Sequence, residues 1–212
     1  MIWHNNMKRY GYILEQIADM ENLREADKTA QAGKVKKNRN IRRHNLRAEE
    51  NLQKLRHMIL TFDFPESKYV TMTIRGAHKE RTIAKRSYYP WRILDHAIMR
   101  VIGSTLHKTL IEDSFSCVKG KGLHFGVKRM KRMLKENRRS DWFCKTDLKK
   151  FYESIPHDLV ISMLRRKFKD ERFIALIEKV VLSYESNVEA ELQDEENKKR
   201  RCDWSVHKSA AR

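Results

Sequence analysis

Lys145-Thr146-Asp147-Leu148-Lys149-Lys150-Phe151-Tyr152-Glu153-Ser154-Ile155-Pro156-His157 is the stretch on which the reading of this chain turns. Trp142-Phe143-Cys144-Lys145-Thr146 is apolar and β-prone and predicts a short buried strand. Asp147 then falls near the strand end, just ahead of the aromatic pair Phe151-Tyr152. Ser154-Ile155-Pro156 caps a helix with Leu159, Val160, Met163, Leu164 and Phe168 on its apolar side. A lone aspartate at a strand end is as a rule a turn or helix-cap residue, so its meaning depends on its surroundings.

Towards the C-terminus, Phe173, Ile174, Ile177, Val180 and Val181 predict one more helix over residues 171–184. Regular patterning stops there. Asp194-Glu195-Glu196 sits in the polar run Glu185 to Arg201 without strand-like flanks and reads as solvated tail, and Arg201 to Arg212 shows no period. Towards the N-terminus, Lys119-Gly120-Lys121-Gly122 is a glycine-broken basic loop. It leads into a helix with Val127, Met130 and Leu134 inward and Lys128, Arg129, Lys131, Arg132 and Lys135 elsewhere. Pro90 opens a helix whose apolar stripe is Ile93, Leu94, Ala97, Ile98, Val101 and Ile102.

Val70, Met72 and Ile74 alternate with threonines, as in a half-buried strand. With the turn Arg75-Gly76-Ala77-His78 and a second strand Arg81 to Ala84 they predict a β-hairpin, exposed and basic through Arg75, His78, Lys79, Arg81, Lys85 and Arg86. Residues 8–30 place Tyr10, Ile13, Leu14, Ile17 and Met20 at the spacing of one amphipathic helix. Between the two lies an acid-free arm with Lys34, Lys36, Lys37, Arg39, Arg42, Arg43 and Arg47, which opens onto a helix striped by Ala48, Leu52, Leu55 and Ile59. Such a run is either a solvated face or a nucleic-acid contact; seven cations without acids repel one another unless a polyanion neutralises them.

The balance of the whole chain agrees. Of 212 residues, 46 are Lys or Arg against 28 acids, a formal net charge of +18 that points to a polyanionic partner. Cys117, Cys144 and Cys202 include no Cys-x-x-Cys pair, which argues against a disulfide framework or zinc site. No run approaches a membrane span and Met1-Ile2-Trp3-His4 lacks a signal-peptide core, so a cytoplasmic protein without membrane contact is expected. No compact helix-turn-helix with base-reading side chains is visible, which disfavours a DNA-binding regulator.

The Lys145–His157 block resembles the first metal-binding block of reverse transcriptases of the group II intron, retron and diversity-generating retroelement type. The likeness continues in serial order. Lys79-Glu80-Arg81-Thr82-Ile83 is similar to the fingers hairpin, Arg92 to Ile98 to the helical block after it, and Asp113 to Gly122 to the serine-aromatic and glycine-basic stretch before the palm. It covers about residues 45–185. The resemblance implies an α+β, mostly helical fold: right-hand polymerase fingers with a β-hairpin and an incomplete palm. The expected divisions are a basic helical extension over 1–60, fingers over 61–140, the start of the palm over 141–184 and a polar, disordered or frameshifted tail over 185–212.

In such enzymes two divalent ions, usually Mg2+, sit between carboxylates and the nucleotide phosphates. The resemblance makes Asp147 a catalytic metal ligand and lends Leu148 a metal through its backbone carbonyl. It puts Tyr152 against the sugar 2′-position of the incoming deoxynucleoside triphosphate, Phe151 beneath it as core, and Lys79 and Arg81 on the triphosphate. Lys119 and Lys121, like the basic arm, would lie along RNA template and DNA primer. The glycine-containing block and the aromatic-x-Asp-Asp turn of the family do not occur in the sequence, and a single carboxylate does not hold a two-metal centre. The chain is therefore expected to be a reverse-transcriptase fragment that makes no DNA unless a downstream palm polypeptide completes it. The alternative is a non-catalytic RNA-binding remnant.

Overall fold

The computed structural model describes residues 10–67, 69–75, 80–116, 118–136, 142–148, 151, 155–183 and 207–210, and every structural statement below concerns these. The chain forms two compact units, Met1–Ser104 with Pro156–Glu185, and Thr105–Ile155 with Ser186–Arg212.

The first unit is helical around one apolar core. Its helices are α1 (Ile13–Ile17), α2 (Met20–Gln31), α3 (Arg39–Asn45), α4 (Ala48–Thr61) and the greater part of α5 (Ile93–His107). The single helix expected over residues 8–30 is instead two. Asp19 has an extended backbone and its Oδ1 accepts from the N–H groups of Glu21 and Asn22 at 3.0 and 3.1 Å, so it caps a new helix rather than continuing the old one. The Asn22 amide closes the break by donating to the carbonyls of Ile17 at 3.1 Å and Ala97 at 3.2 Å, which ties α2 to α5. Leu14, Ile17, Leu23, Leu55, Ile59, Ile93 and Leu94 are fully buried, so the stripes expected on α4 and α5 do face the core.

Two later helices, α7 (His157–Lys167) and α8 (Glu171–Leu182), also belong to this unit, with α6 (Leu123–Glu136) lying between α5 and α7 in the sequence. The Asp170 carboxylate joins α8 to the N-terminal region. Its Oδ1 caps α8 through Arg172 and Phe173, both at 3.1 Å, and its Oδ2 accepts from Ile13 at 2.7 Å and Leu14 at 3.0 Å, the first N–H groups of α1. A parallel bridge between Tyr10 and Phe168 lies alongside, with Lys169 donating to the Tyr10 carbonyl at 2.8 Å. Phe168 and Phe173 are buried edge to face, with ring centroids 5.1 Å apart. The apolar stripe expected on α7 is split: Leu159 and Met163 are exposed, and of its residues Phe168, just past the helix end, is the one buried.

A polar cluster crosses the same core. Asp27 on α2 is only 6 % exposed and His44 on α3 3 %. The Tyr88 hydroxyl donates to Asp27 Oδ1, and the Gln31 amide donates to Asp27 Oδ2 at 2.9 Å. His44 Nε2 lies 3.3 Å from Asp27 Oδ2, within ion-pair reach but off the line of a hydrogen bond. Tyr88 belongs to a π-helical turn, Tyr88–Arg92, interrupted at Tyr89, where the backbone is extended.

The hairpin β1 (Val70–Arg75) and β2 (Glu80–Lys85) is antiparallel in the register Val70↔Lys85 to Arg75↔Glu80. Its expected turn at Gly76 to His78 and Lys79 lie outside the described residues. The half-buried face does not materialise at Val70, which is 65 % exposed, nor at Met72 or Ile83, because two strands alone present both faces to solvent. Arg86, expected on the exposed basic surface, turns inward. Its side chain is 10 % exposed, ion-paired with Asp95, and its guanidinium carbon stands 5.0 Å above the Trp91 ring.

In the second unit, β3 (Trp142–Lys145) pairs antiparallel with β4 (His207–Ala210), from Trp142↔Ala210 to Lys145↔His207. The strand expected at 142–146 is present, but Cys144 and Lys145 are exposed rather than buried. Helix α6 buries none of its residues, and Val127, Met130 and Leu134, expected inward, are exposed. Its first turn is held to the preceding loop by Phe115, which packs so close to Gly126 that a Cβ there would meet the ring at 3.1 Å. Arg129 Nε donates to Asp113 Oδ1 at 2.9 Å on the same side. No described helix is long and apolar enough to cross a membrane.

Two consequences can be measured. Asp170→Ala removes the acceptor of four backbone N–H groups and is expected to cost about 2–3 kcal/mol in urea unfolding. Acid should act in the same direction. Burial raises the Asp170 carboxyl but the N–H groups of Leu14, Phe173, Ile13 and Arg172 outweigh it; burial likewise raises Asp27, and His44, Tyr88 and Gln31 outweigh that. Both therefore lie below the ordinary aspartate value of about 3.9. Their stabilisation is complete above that pH and is lost as pH falls through the lowered values, so unfolding midpoints should drop below about pH 4 in the native chain and drop less in Asp170→Ala. Tyr88→Phe, which deletes one donor to a buried carboxylate, is expected to cost about 1–3 kcal/mol by the same assay.

Candidate functional site

Asp147 stands two residues beyond β3 with its side chain exposed, and its Oδ1 accepts from the N–H of Leu148 at 3.0 Å. Leu148 is exposed too. Phe151, expected as core, is 47 % exposed. Tyr152, like Lys79, lies outside the described residues. No group of three or more His, Cys, Asp or Glu side chains that could hold a metal ion comes together among the described residues. The residues described thus offer Asp147 alone, which does not fit a two-metal centre.

The acid-free arm has a defined shape. Lys34 precedes a 3-10 turn, Val35–Lys37, and Asn38 then caps α3 by accepting from the Asn40 N–H at 3.0 Å. Helical spacing does the sorting. Ile41 and His44 are buried against the core, which leaves Arg39, Arg42 and Arg43 on the outer side. Lys34 and Lys36 are exposed as well, and the Lys37 side chain lies outside the described set. None of Lys34, Lys36, Arg39, Arg42 and Arg43 pairs with an acid among the described residues, whereas Arg24, Lys54, Arg129, Arg165 and Arg172 all do.

Next to this surface are two clefts that the sequence did not predict. One, of about 470 Å3, is lined by Arg43, His44, Arg47, Asn51 and Tyr89 among others. The second, of about 280 Å3, is lined by Lys34, Lys85 and Arg92, and shares Asn40, Ser87 and Tyr88 with the first. No carboxylate lines either. The arm's charge was visible as a run, but nothing in its spacing announced that the segment 85–92 would fold against it; that pairing follows from Tyr88 reaching Asp27, 61 residues away.

In the second unit, Gly120 takes a positive φ of 80°, which a glycine adopts without cost. Lys119 is exposed in this turn, while the Lys121 ammonium donates to the Glu112 carbonyl at 2.6 Å and so braces the loop. Arg81 sits on β2 opposite Ile74.

No family model matches the chain. Part of it is similar to two proteins of known sequence: a 91 kDa protein in the cob intron of Schizosaccharomyces pombe, 48 % identical over 40 residues, and a COX1/OXI3 intron 1 protein of Saccharomyces cerevisiae, 45 % identical over 42 residues. The matches cover 19 % and 20 % of this chain and 5 % of each relative, so the chain spans a small fraction of the length of the curated relatives it matches. Over about a fifth of its length, then, the chain is similar to proteins of introns.

Proposed function

We propose that this chain carries the fingers and the first palm block of an RNA-directed DNA polymerase of the group II intron type, and that in its 212-residue form it binds RNA without polymerising. The observation that carries this reading is the Lys145–His157 block, with the Asp147 carboxylate exposed immediately after a strand. The similarity to two intron proteins supports it, as does the outward face of α3, whose cations have no acidic partners among the described residues. The phosphates of a bound polyanion offset the mutual repulsion of those cations, and the counterions released from the nucleic acid make the binding salt-dependent. Asp147 supplies one of the carboxylates that a nucleotidyl-transfer centre requires, with the others to come from a palm polypeptide; the template would be RNA, the primer DNA and the substrates deoxynucleoside triphosphates.

Two measurements test this. Neutralising α3 with Arg39→Gln, Arg42→Gln and Arg43→Gln is expected to weaken RNA binding about tenfold or more and to flatten the slope of log affinity against log salt by about 2. An unchanged slope would remove the arm from the interface. In primer extension with Mg2+, the chain alone is expected to be inert, and a separately supplied palm polypeptide bearing an aromatic-x-Asp-Asp turn should restore synthesis that Asp147→Ala abolishes. RNA binding that survives Asp147→Ala, together with no restoration by any such palm, would mark the chain as a non-catalytic RNA binder.

A further inference from the structure

The joined clefts beside α3 combine three kinds of group. Aromatic surface comes from Tyr89, whose ring stacks on His44 with centroids 5.7 Å apart and planes 30° apart. Amide groups come from Asn40 and from Asn51, whose nitrogen is spent on His44 Nδ1 at 3.2 Å and whose oxygen remains an acceptor. Cations come from both ends: Arg43 and Arg47 in the larger cleft, Lys34, Lys85 and Arg92 in the smaller. Arg47 and Arg92 form no ion pair among the described residues. The positive field is felt nearby, since after burial it is Arg92 and Lys34 that hold the His96 imidazole below its ordinary value. The Tyr89 hydroxyl is buried without a hydrogen-bond partner, the sort of unspent polar group that folded proteins seldom keep without a reason.

We infer that these clefts form a site for one unpaired nucleotide of a single-stranded nucleic acid, with its base beside Tyr89 and its flanking phosphates on Arg43 and Arg47 at one end and Arg92 at the other. An aromatic ring between two cationic ends matches the alternation of base and phosphate along a strand. A base held inside a duplex cannot enter a recess, so the site discriminates single strands from duplexes, which the exposed arginines of α3 alone would not do. Residues Tyr89, Arg47 and Arg92 then add selectivity to the general electrostatic grip. The inference rests on the RNA-binding reading above but can fail separately from it.

The test uses the full chain and fluorescence anisotropy with a labelled uridine oligomer, its deoxy counterpart and an RNA duplex. The variant Arg47→Gln with Arg92→Gln alters two exposed, unpaired side chains, and Lys128→Gln with Arg132→Gln on α6 removes equal charge elsewhere. The cleft variant is expected to lose about tenfold more affinity for the single strands than for the duplex, while the α6 variant loses affinity for both alike. Binding of the RNA and deoxy oligomers alike would assign recognition to base and phosphate, and a preference for RNA would add the 2′-hydroxyl. Equal losses on single strand and duplex in the cleft variant would overturn the site while leaving the general RNA grip in place; a native chain that binds none of the three would overturn both. Photocrosslinking of a thiouridine oligomer should mark the peptide containing Tyr89, and crosslinks confined to α6 would also refute the site.

Discussion

The Asp170 carboxylate holds the first unit together. One side chain accepts four backbone N–H groups, two opening α8 and two opening α1, and so ends the exposure of donors that each helix start would otherwise leave unpaired. Because the two helices are more than 150 residues apart in sequence, this joint ties the last helix of the unit to its first. The Tyr10–Phe168 bridge and the Phe168–Phe173 ring pair sit beside it, so the joint is hydrogen-bonded on one side and apolar on the other. With that frame closed, α2, α3 and α4 pack at a fixed spacing, and Tyr88 can reach Asp27 through the core.

The Asp27 cluster links folding to the candidate nucleic-acid surface. Burying a carboxylate is costly unless polar partners surround it, and here Tyr88 and Gln31 donate to it while the His44 imidazole stands within ion-pair reach. Those partners come from α2, α3 and the turn before α5, which fixes α3 against residues 85–92. The consequence is electrostatic: an acid-free helix lies beside an acid-free turn, and the cations of each line adjoining clefts that share Asn40, Ser87 and Tyr88. A protein gains little stability from collecting like charges in this way.

Much of this was legible in the sequence where periodicity coincided with capping chemistry. The α4 and α5 stripes, the hairpin, α8 and the strand before Asp147 were all readable from apolar spacing and turn residues. Spacing alone does not fix the outcome. Residues 8–30 keep a helical apolar period across Asp19, but the aspartate caps a second helix there. The apolar stripes of α6 and α7 and the alternation in β1 show correct periods, yet Val127, Met163 and Val70 remain exposed, because periodicity says which face is apolar and not whether anything covers it. Arg86 reads as surface charge, and only the nearness of Asp95 and Trp91 makes it an interior residue.

By itself the sequence determined the class of the protein: a mostly helical α+β chain, strongly basic, with an acid-free cationic arm. Local rules suffice for these, since helix period, strand alternation and net charge depend on neighbours in the chain. Tertiary structure alone decided which cations remain without acids, which aromatic rings line a recess, and that α1 and α8 share one carboxylate. Those outcomes depend on groups brought together from distant positions. The cost of leaving a buried N–H or carboxylate unpaired selects such partners, and sequence spacing carries no trace of them.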